Sequence, residues 1–174
     1  SADSSGPVSF NQAVVVDPNT VVGNAGNGIE VATYISGYGV VAATQSVSIA
    51  ANRVSDSGID GIYVRTFLTE TAASQTVVVS GNTVTGSERD GVAVRTYLSN
   101  ADLLQSLTIT GNSIVDSGRN GVLVRNGIYT GYQNHQLSQV GAISNNRITD
   151  SGINGIFVSN FAGAAFDDAT IGQT

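Results

Sequence analysis

The feature that most constrains this chain is a register of three residue types repeated five times. Gln12, Gln45, Gln75, Gln105 and Gln139 are each followed, seven residues later, by an asparagine: Asn19, Asn52, Asn82, Asn112 and Asn146. Nine residues after each asparagine stands a glycine: Gly28, Gly61, Gly91, Gly121 and Gly155. The steps between copies are 33, 30, 30 and 34 residues. Such self-similarity marks a stacked repeat, in which each unit buries its apolar face only against its neighbours.

Within a copy the apolar residues alternate. In the third they are Val77 and Val79, then Val84, then Val92 and Val94. Period two puts one face in and one face out, which is strand geometry. Each unit therefore reads as three short strands with turns between them, and no segment supports a helix. The Asn-to-Gly stretches (NRVSDSGIDG, NTVTGSERDG, NSIVDSGRNG, NRITDSGING) hold their length. All length differences fall after positions 33, 66, 96, 126 and 160, where a variable loop on one face is expected. Units of this kind without hairpin signals predict an all-β solenoid of about five coils. Strands of successive coils then lie in register about 4.8 Å apart.

Composition narrows the function. The 174 residues fit a single domain, 1–174, with repeats starting near 12, 45, 75, 105 and 139 and a sixth phase at Gln173. Apolar residues make up 41% and charged residues 11%, too apolar for disorder. There is no cysteine, so no disulfide, thiolate metal site or cysteine nucleophile. The basic residues are seven arginines without a lysine, and the net charge is −6. A phosphate-tracking nucleic-acid binder needs a basic face and is not expected. No apolar run reaches membrane-spanning length, so no membrane insertion is expected.

The pattern apolar-x-apolar-x-x-Asn-x-apolar, then Ser-Gly, then x-Gly-Ile-x-Val, resembles the right-handed parallel β-helix repeat of the pectin-lyase-like and NosD-like superfamily. The resemblance runs from Gln12 to about Asn160. It implies the fold, which hosts pectate lyases, mannuronan epimerases, phage tailspikes and many surface proteins, and it leaves function open.

The repeated positions carry separate expectations. Stacked, inward-facing Asn19, Asn52, Asn82, Asn112 and Asn146 form a structural ladder that satisfies amides at a corner. Asn27, Asp60, Asp90, Asn120 and Asn154 each precede the repeat glycine, which is turn chemistry. A calcium reading of Asp56, Asp60 and Asp90 is weak, because asparagine fills that place in three copies; no metal and no cofactor is expected. Arg65, Arg95 and Arg125 share one outward phase. They either pair with acids such as Glu70, Asp90 or Asp102, or form a site for an anionic polymer or a partner's carboxylates. Tyr34, Phe67, Tyr97 and Phe161 form an aromatic row, which Gly127 breaks with Tyr129 nearby. This row is expected either to pack the loop on the coil wall or to serve as a stacking strip. Tyr63 joins Phe67, Tyr97 and Tyr129 as a candidate contact residue.

No catalytic residue is assigned. His135 is the only histidine, expected exposed in the longest loop, and no nucleophile-elbow motif exists. Adjacent carboxylates occur only at Asp167-Asp168. An arginine base keeps a lyase or epimerase-like activity as the alternative. The leading expectation is a secreted or cell-surface, non-enzymatic structural or adhesive module. Neither end carries a capping helix, so the partner is expected to be a second copy stacked head to tail, or a longer parent chain, and polysaccharide is the further candidate. Val14, Val15, Val16 and Ile171 are the expected association edge.

Overall fold

The computed structural model describes residues 8–37, 40–129, 135–163 and 169–173. The first coil holds β1 (Val8–Val16), β2 (Thr20–Asn24) and β3 (Ile29–Ser36). The second holds β4 (Val40–Ala50), β5 (Arg53–Ser57) and β6 (Ile62–Thr69). The third holds β7 (Ala72–Ser80), β8 (Thr83–Ser87) and β9 (Val92–Ser99). The fourth holds β10 (Asp102–Thr110), β11 (Ser113–Ser117) and β12 (Asn120–Tyr129). The fifth holds β13 (His135–Ser144), β14 (Arg147–Ser151) and β15 (Asn154–Gly163), and β16 (Ala169–Gln173) begins a sixth. Every pairing is parallel, and each strand pairs with its equivalent one coil away. Three sheets result: β1-β4-β7-β10-β13-β16, β2-β5-β8-β11-β14 and β3-β6-β9-β12-β15. The fold is a parallel β-solenoid of about five turns, with no helix among the described residues.

The ladder register reproduces the sequence register. Gln12 sits opposite Gln45, Gln45 opposite Gln75, Gln75 opposite Gln105, Gln105 opposite Gln139 and Gln139 opposite Gln173. A slip by one residue would turn every core valine outward, so burial enforces this alignment.

The interior is layered. One apolar cluster joins all three sheets and includes Val47, Ile49, Val54, Ile62 and Val64 with their equivalents. A second holds Ile35, Leu68, Leu98 and Ile128 against Ala43, Leu103 and Leu137. Buried Gln45, Gln75, Gln105 and Gln139 lie between the two, as do Thr33, Thr66 and Thr96. Each glutamine amide of coils two to four donates both to the glutamine of the previous coil and to a threonine: Gln75 to Gln45 and Thr66, Gln105 to Gln75 and Thr96, Gln45 to Gln12 and Thr33. In the fourth coil Asn126 replaces the threonine and donates to Gln139 at 3.1 Å. A buried amide column is tolerable only when its donors and acceptors are met; the glutamines here bond to one another, while Asn126 Oδ1 is buried without a hydrogen-bond partner among the described residues.

The asparagine column turns the corner after the first sheet. The side-chain oxygen of Asn52 accepts from both the backbone N–H and the side-chain amide of Asn19, at 2.9 and 3.0 Å. Asn82, Asn112 and Asn146 receive the same pair of bonds from the coil before. The amides also donate to backbone carbonyls, Asn82 to Ile49 and Asn112 to Val79. One side chain thus satisfies a turn that offers no ladder partner.

The structure corrects the loop expectation in part. The chain does not leave the sheet after residue 66. Strand β6 continues to Thr69, only Glu70 and Thr71 precede β7, and Asn100 and Ala101 make the same turn a coil later. Leu68, Leu98 and Ile128 hold the strand down because they are buried on its inner face. The length differences do fall at this corner. Ser99 to Leu103 takes four residues, and the equivalent Tyr129 to Leu137 takes eight. His135 also departs from expectation. It opens β13, its side chain is only 13% exposed, and Nδ1 lies 3.5 Å from the Asp102 carboxylate. Asp167 and Asp168 lie outside the described residues.

Candidate functional site

The outer face of the third sheet gathers the outward residues singled out by the sequence. Strand pairing sets them in rows. Tyr63, Ala93, Leu123 and Phe157 form one row, and Arg65, Arg95, Arg125 and Ser159 the next. Tyr34, Phe67, Tyr97, Gly127 and Phe161 form the third.

Ring contacts fall in two runs, Tyr34 with Phe67 and Tyr97 through Tyr129 to Phe161, and the second run crosses Gly127. Tyr129 leans over the glycine, with its ring 6.0 Å from Tyr97 and 5.8 Å from Phe161. Tyr34 and Phe67 are 6.3 Å apart at the other end. All contacts are tilted, within the range favoured by ring quadrupoles. Tyr34, Tyr129 and Phe161 remain largely exposed, so the row lies open on the wall of the solenoid.

The three row arginines have three different environments. Arg65 places its guanidinium over Tyr34 and Tyr97, 5.3 and 5.9 Å from the ring centres, a cation–π arrangement. Arg95 turns inward. Its Nη2 lies 3.0 Å from Asp90 and 3.4 Å from Asp60, and its guanidinium covers Tyr63 at 5.0 Å. Arg125 is exposed and pairs with no acid among the described residues. Among the described residues, of the acids expected as partners only Asp90 meets a row arginine; Asp102 faces His135, and Glu70 makes no ion pair.

Asp60 and Asp90, which the sequence suggested as turn chemistry with a weaker calcium reading, belong to a second ladder. Asp60 Oδ1 accepts the N–H of Asp90, and Asp90 Oδ1 accepts the N–H and amide of Asn120. Both carboxylates are buried. Burial pushes the Asp60 carboxyl above the ordinary aspartate value and outweighs the Asp90 N–H and Arg95, which favour its charged form. Burial opposes the Arg95 charge, but Asp60, Tyr63 and Asp90 together raise its pKa. Burial likewise pushes the Tyr63 phenol up. Among the described residues no group of three or more His, Asp or Glu is placed to hold a metal ion.

The association-edge residues divide by face. Val14 and Val16 point inward and pack on the main cluster. Val15 points outward and is 72% exposed. Ile171 stands in register with Leu137 on β16. At the fifth coil Ile156 and Val158 are about half exposed. Gly141 takes the place of Val47, Val77 and Leu107 there and leaves an open cavity of about 260 Å³ between Leu107, Ile143 and Val158.

Fold and surface define a class: a parallel β-solenoid whose polar interior columns lock the stack and whose third sheet displays an aromatic and arginine strip. No family model, curated protein or solved structure matches the chain.

Proposed function

We propose that this chain is a non-enzymatic structural or adhesive module of the secreted or cell-surface kind, a member of the pectin-lyase-like group of β-helices. The observation that carries this reading is the division of labour between inner and outer side chains. The buried Gln, Thr, Asn and Asx columns bond within the stack, leaving their chemistry to hold coils together. The outer strip presents aromatic rings and guanidinium groups at the strand spacing, which suits contact with an extended partner rather than bond cleavage. His135 Nδ1 lies 3.5 Å from the Asp102 carboxylate.

Growth of the stack belongs to the same reading. Val14, Val16 and Val21 at one cross-section, and Ile156 and Val158 at the other, are apolar and incompletely covered. A further coil laid on either would bury them, whether a second copy or further coils of the same chain supplies it. The second reading, a carbohydrate-binding module, is favoured by the exposed ring row of Tyr34, Tyr129 and Phe161.

Two measurements test this. Incubation with pectate and alginate is expected to yield no new reducing ends and no unsaturated product. Negative-stain electron microscopy is expected to show rods that lengthen with concentration. Product formation that disappears in Arg95→Gln overturns the non-enzymatic reading.

A further inference from the structure

The basic residues of this acidic chain are not spread evenly. Four of the seven arginines, Arg89, Arg95, Arg119 and Arg125, line one cleft of about 340 Å³ together with Leu123, Phe157 and Ser159. Two of them, Arg89 and Arg119, stand in the turn between the second and third sheets and fall outside the outward row. The sequence carries their signature in two consecutive copies, RDGVAVR at 89–95 and RNGVLVR at 119–125.

Coil stacking converts those two heptads into a square. Arg119 donates its backbone N–H to the carbonyl of Arg89 at 2.8 Å, so the two lie on adjacent coils. Arg125 is in strand register with Arg95. The square is bounded along the stack. In the same turn column Ile59 precedes Arg89 and Ile153 follows Arg119, each joined by a backbone hydrogen bond. In the strand row Ser159 follows Arg125. The turn-column charge is therefore confined to coils three and four, while in the strand row Arg65, held over Tyr34 and Tyr97, precedes Arg95 on coil two.

Among the described residues only Arg95 of the four has carboxylates within ion-pair distance. Among the described residues no carboxylate lies within ion-pair distance of Arg89, Arg119 or Arg125. Asp90 also lines the cleft and Asp60 acts on Arg89 at longer range, so the least compensated charge falls on Arg119 and Arg125, and a bound anion relieves their repulsion. Guanidinium forks fit planar or tetrahedral oxyanions with paired hydrogen bonds. Leu123 and the half-exposed ring of Phe157 give the same cleft an apolar wall. The backbones of β9 and β12 are paired on both sides, so a peptide has no free strand edge to join here.

We infer that this cleft binds the sulfate or carboxylate group of an acidic glycan, with Arg89, Arg119 and Arg125 on the anion and Phe157 against the sugar ring. Arg95, fixed by Asp60 and Asp90, positions the wall. The inference deepens the adhesive reading and rests on it.

The test is affinity electrophoresis of the intact chain through gels containing dextran sulfate, polygalacturonate, neutral dextran or polyglutamate. An acidic glycan is expected to retard the protein, neutral dextran is not, and the tighter of the two acidic glycans tells sulfate from carboxylate. Arg119→Gln with Arg125→Gln is expected to weaken that binding by at least about tenfold, since each lost charged hydrogen bond contributes more than a neutral one. Arg125→Glu alone is expected to do the same, and Arg147→Gln, on the second sheet, is not. Urea unfolding of each variant verifies that the fold persists. Equal weakening by Arg147→Gln, or no effect of either cleft variant, overturns the site while leaving adhesion through the aromatic row intact. Tighter retention by polyglutamate than by both glycans overturns the glycan assignment in favour of an acidic protein partner. Failure of every polymer to bind overturns the inference. Cleavage of a retained glycan would instead sink the non-enzymatic reading and leave the cleft standing.

Discussion

Tyr129 covers Gly127. A Cβ at residue 127 would lie 2.8 Å from Cε2 of the Tyr129 ring, which sits where the next aromatic of the row belongs. The glycine is thus the gap that admits a ring from two residues further on. Gly127→Ala is expected to swing the half-exposed Tyr129 ring aside at a cost under about 1 kcal/mol, because the clash falls on the end of a side chain and not on backbone. Tyr129→Ala, which deletes the ring and its contacts with Tyr97 and Phe161, is expected to cost at least as much. Urea unfolding midpoints of the two variants check the order, and a larger loss for Gly127→Ala than for Tyr129→Ala contradicts it.

The asparagine column makes a positional prediction. Asn82 Oδ1 accepts two bonds from Asn52, and its amide donates to Ile49 and Asn112. Asn82→Leu strands donors and an acceptor in a buried corner and is expected to cost roughly 3 kcal/mol or more. Asn19 is exposed and its side chain only donates to the ladder. Asn19→Leu is expected to cost under about 1 kcal/mol. Chemical denaturation of both variants decides the matter.

Glycine at the second corner is required by contact. A Cβ on Gly91 would lie 2.3 Å from Ile114 Cγ2 and 2.8 Å from the Gly121 carbonyl oxygen. A Cβ on Gly155 meets nothing within 4 Å. Gly91→Ala is therefore expected to prevent folding or lower the melting temperature by roughly 10 °C, and Gly155→Ala to leave it nearly unchanged. Circular dichroism melts compare them directly.

Asp60 predicts a pH dependence. Its carboxyl is raised in the folded state above its unfolded value, mainly by burial. The fold therefore gains from this group as pH falls from neutral through the folded pKa towards about 3.9, and loses that contribution as pH rises. Asn27 and Asn120 occupy the same column, so Asp60→Asn keeps the acceptor for the Asp90 N–H. The variant is expected to melt higher at pH 7, with its advantage shrinking on acidification. An advantage that grows as pH falls would be the wrong sign.

Much of the fold was legible because stacking makes chemically equivalent residues recur. The Gln, Asn and Gly columns coincide with strand register, and alternation named the core valines. The candidate surface was less legible. Arg65, Arg95 and Arg125 read alike in sequence, yet one lies over tyrosines, one turns to two buried aspartates and one meets no acid among the described residues. Their fates depend on neighbours a coil away, which no local pattern encodes. Arg89 and Arg119 escaped notice because only two of five copies carry arginine at that turn, where Ile59 and Ile153 stand in others.

By itself the sequence determined the coil: its period, its three strands, its inward valines and its asparagine corner, because these follow from side-chain alternation and from repetition. The tertiary structure alone decided what the coils do to one another. It brought Gln75 to Thr66, nine residues apart across a turn, and so split the interior into two apolar layers. It also drew Arg89, Arg95, Arg119 and Arg125 into one cleft. Both outcomes rest on how far the chain travels before it returns, and on which side chains stand at the spot where it lands.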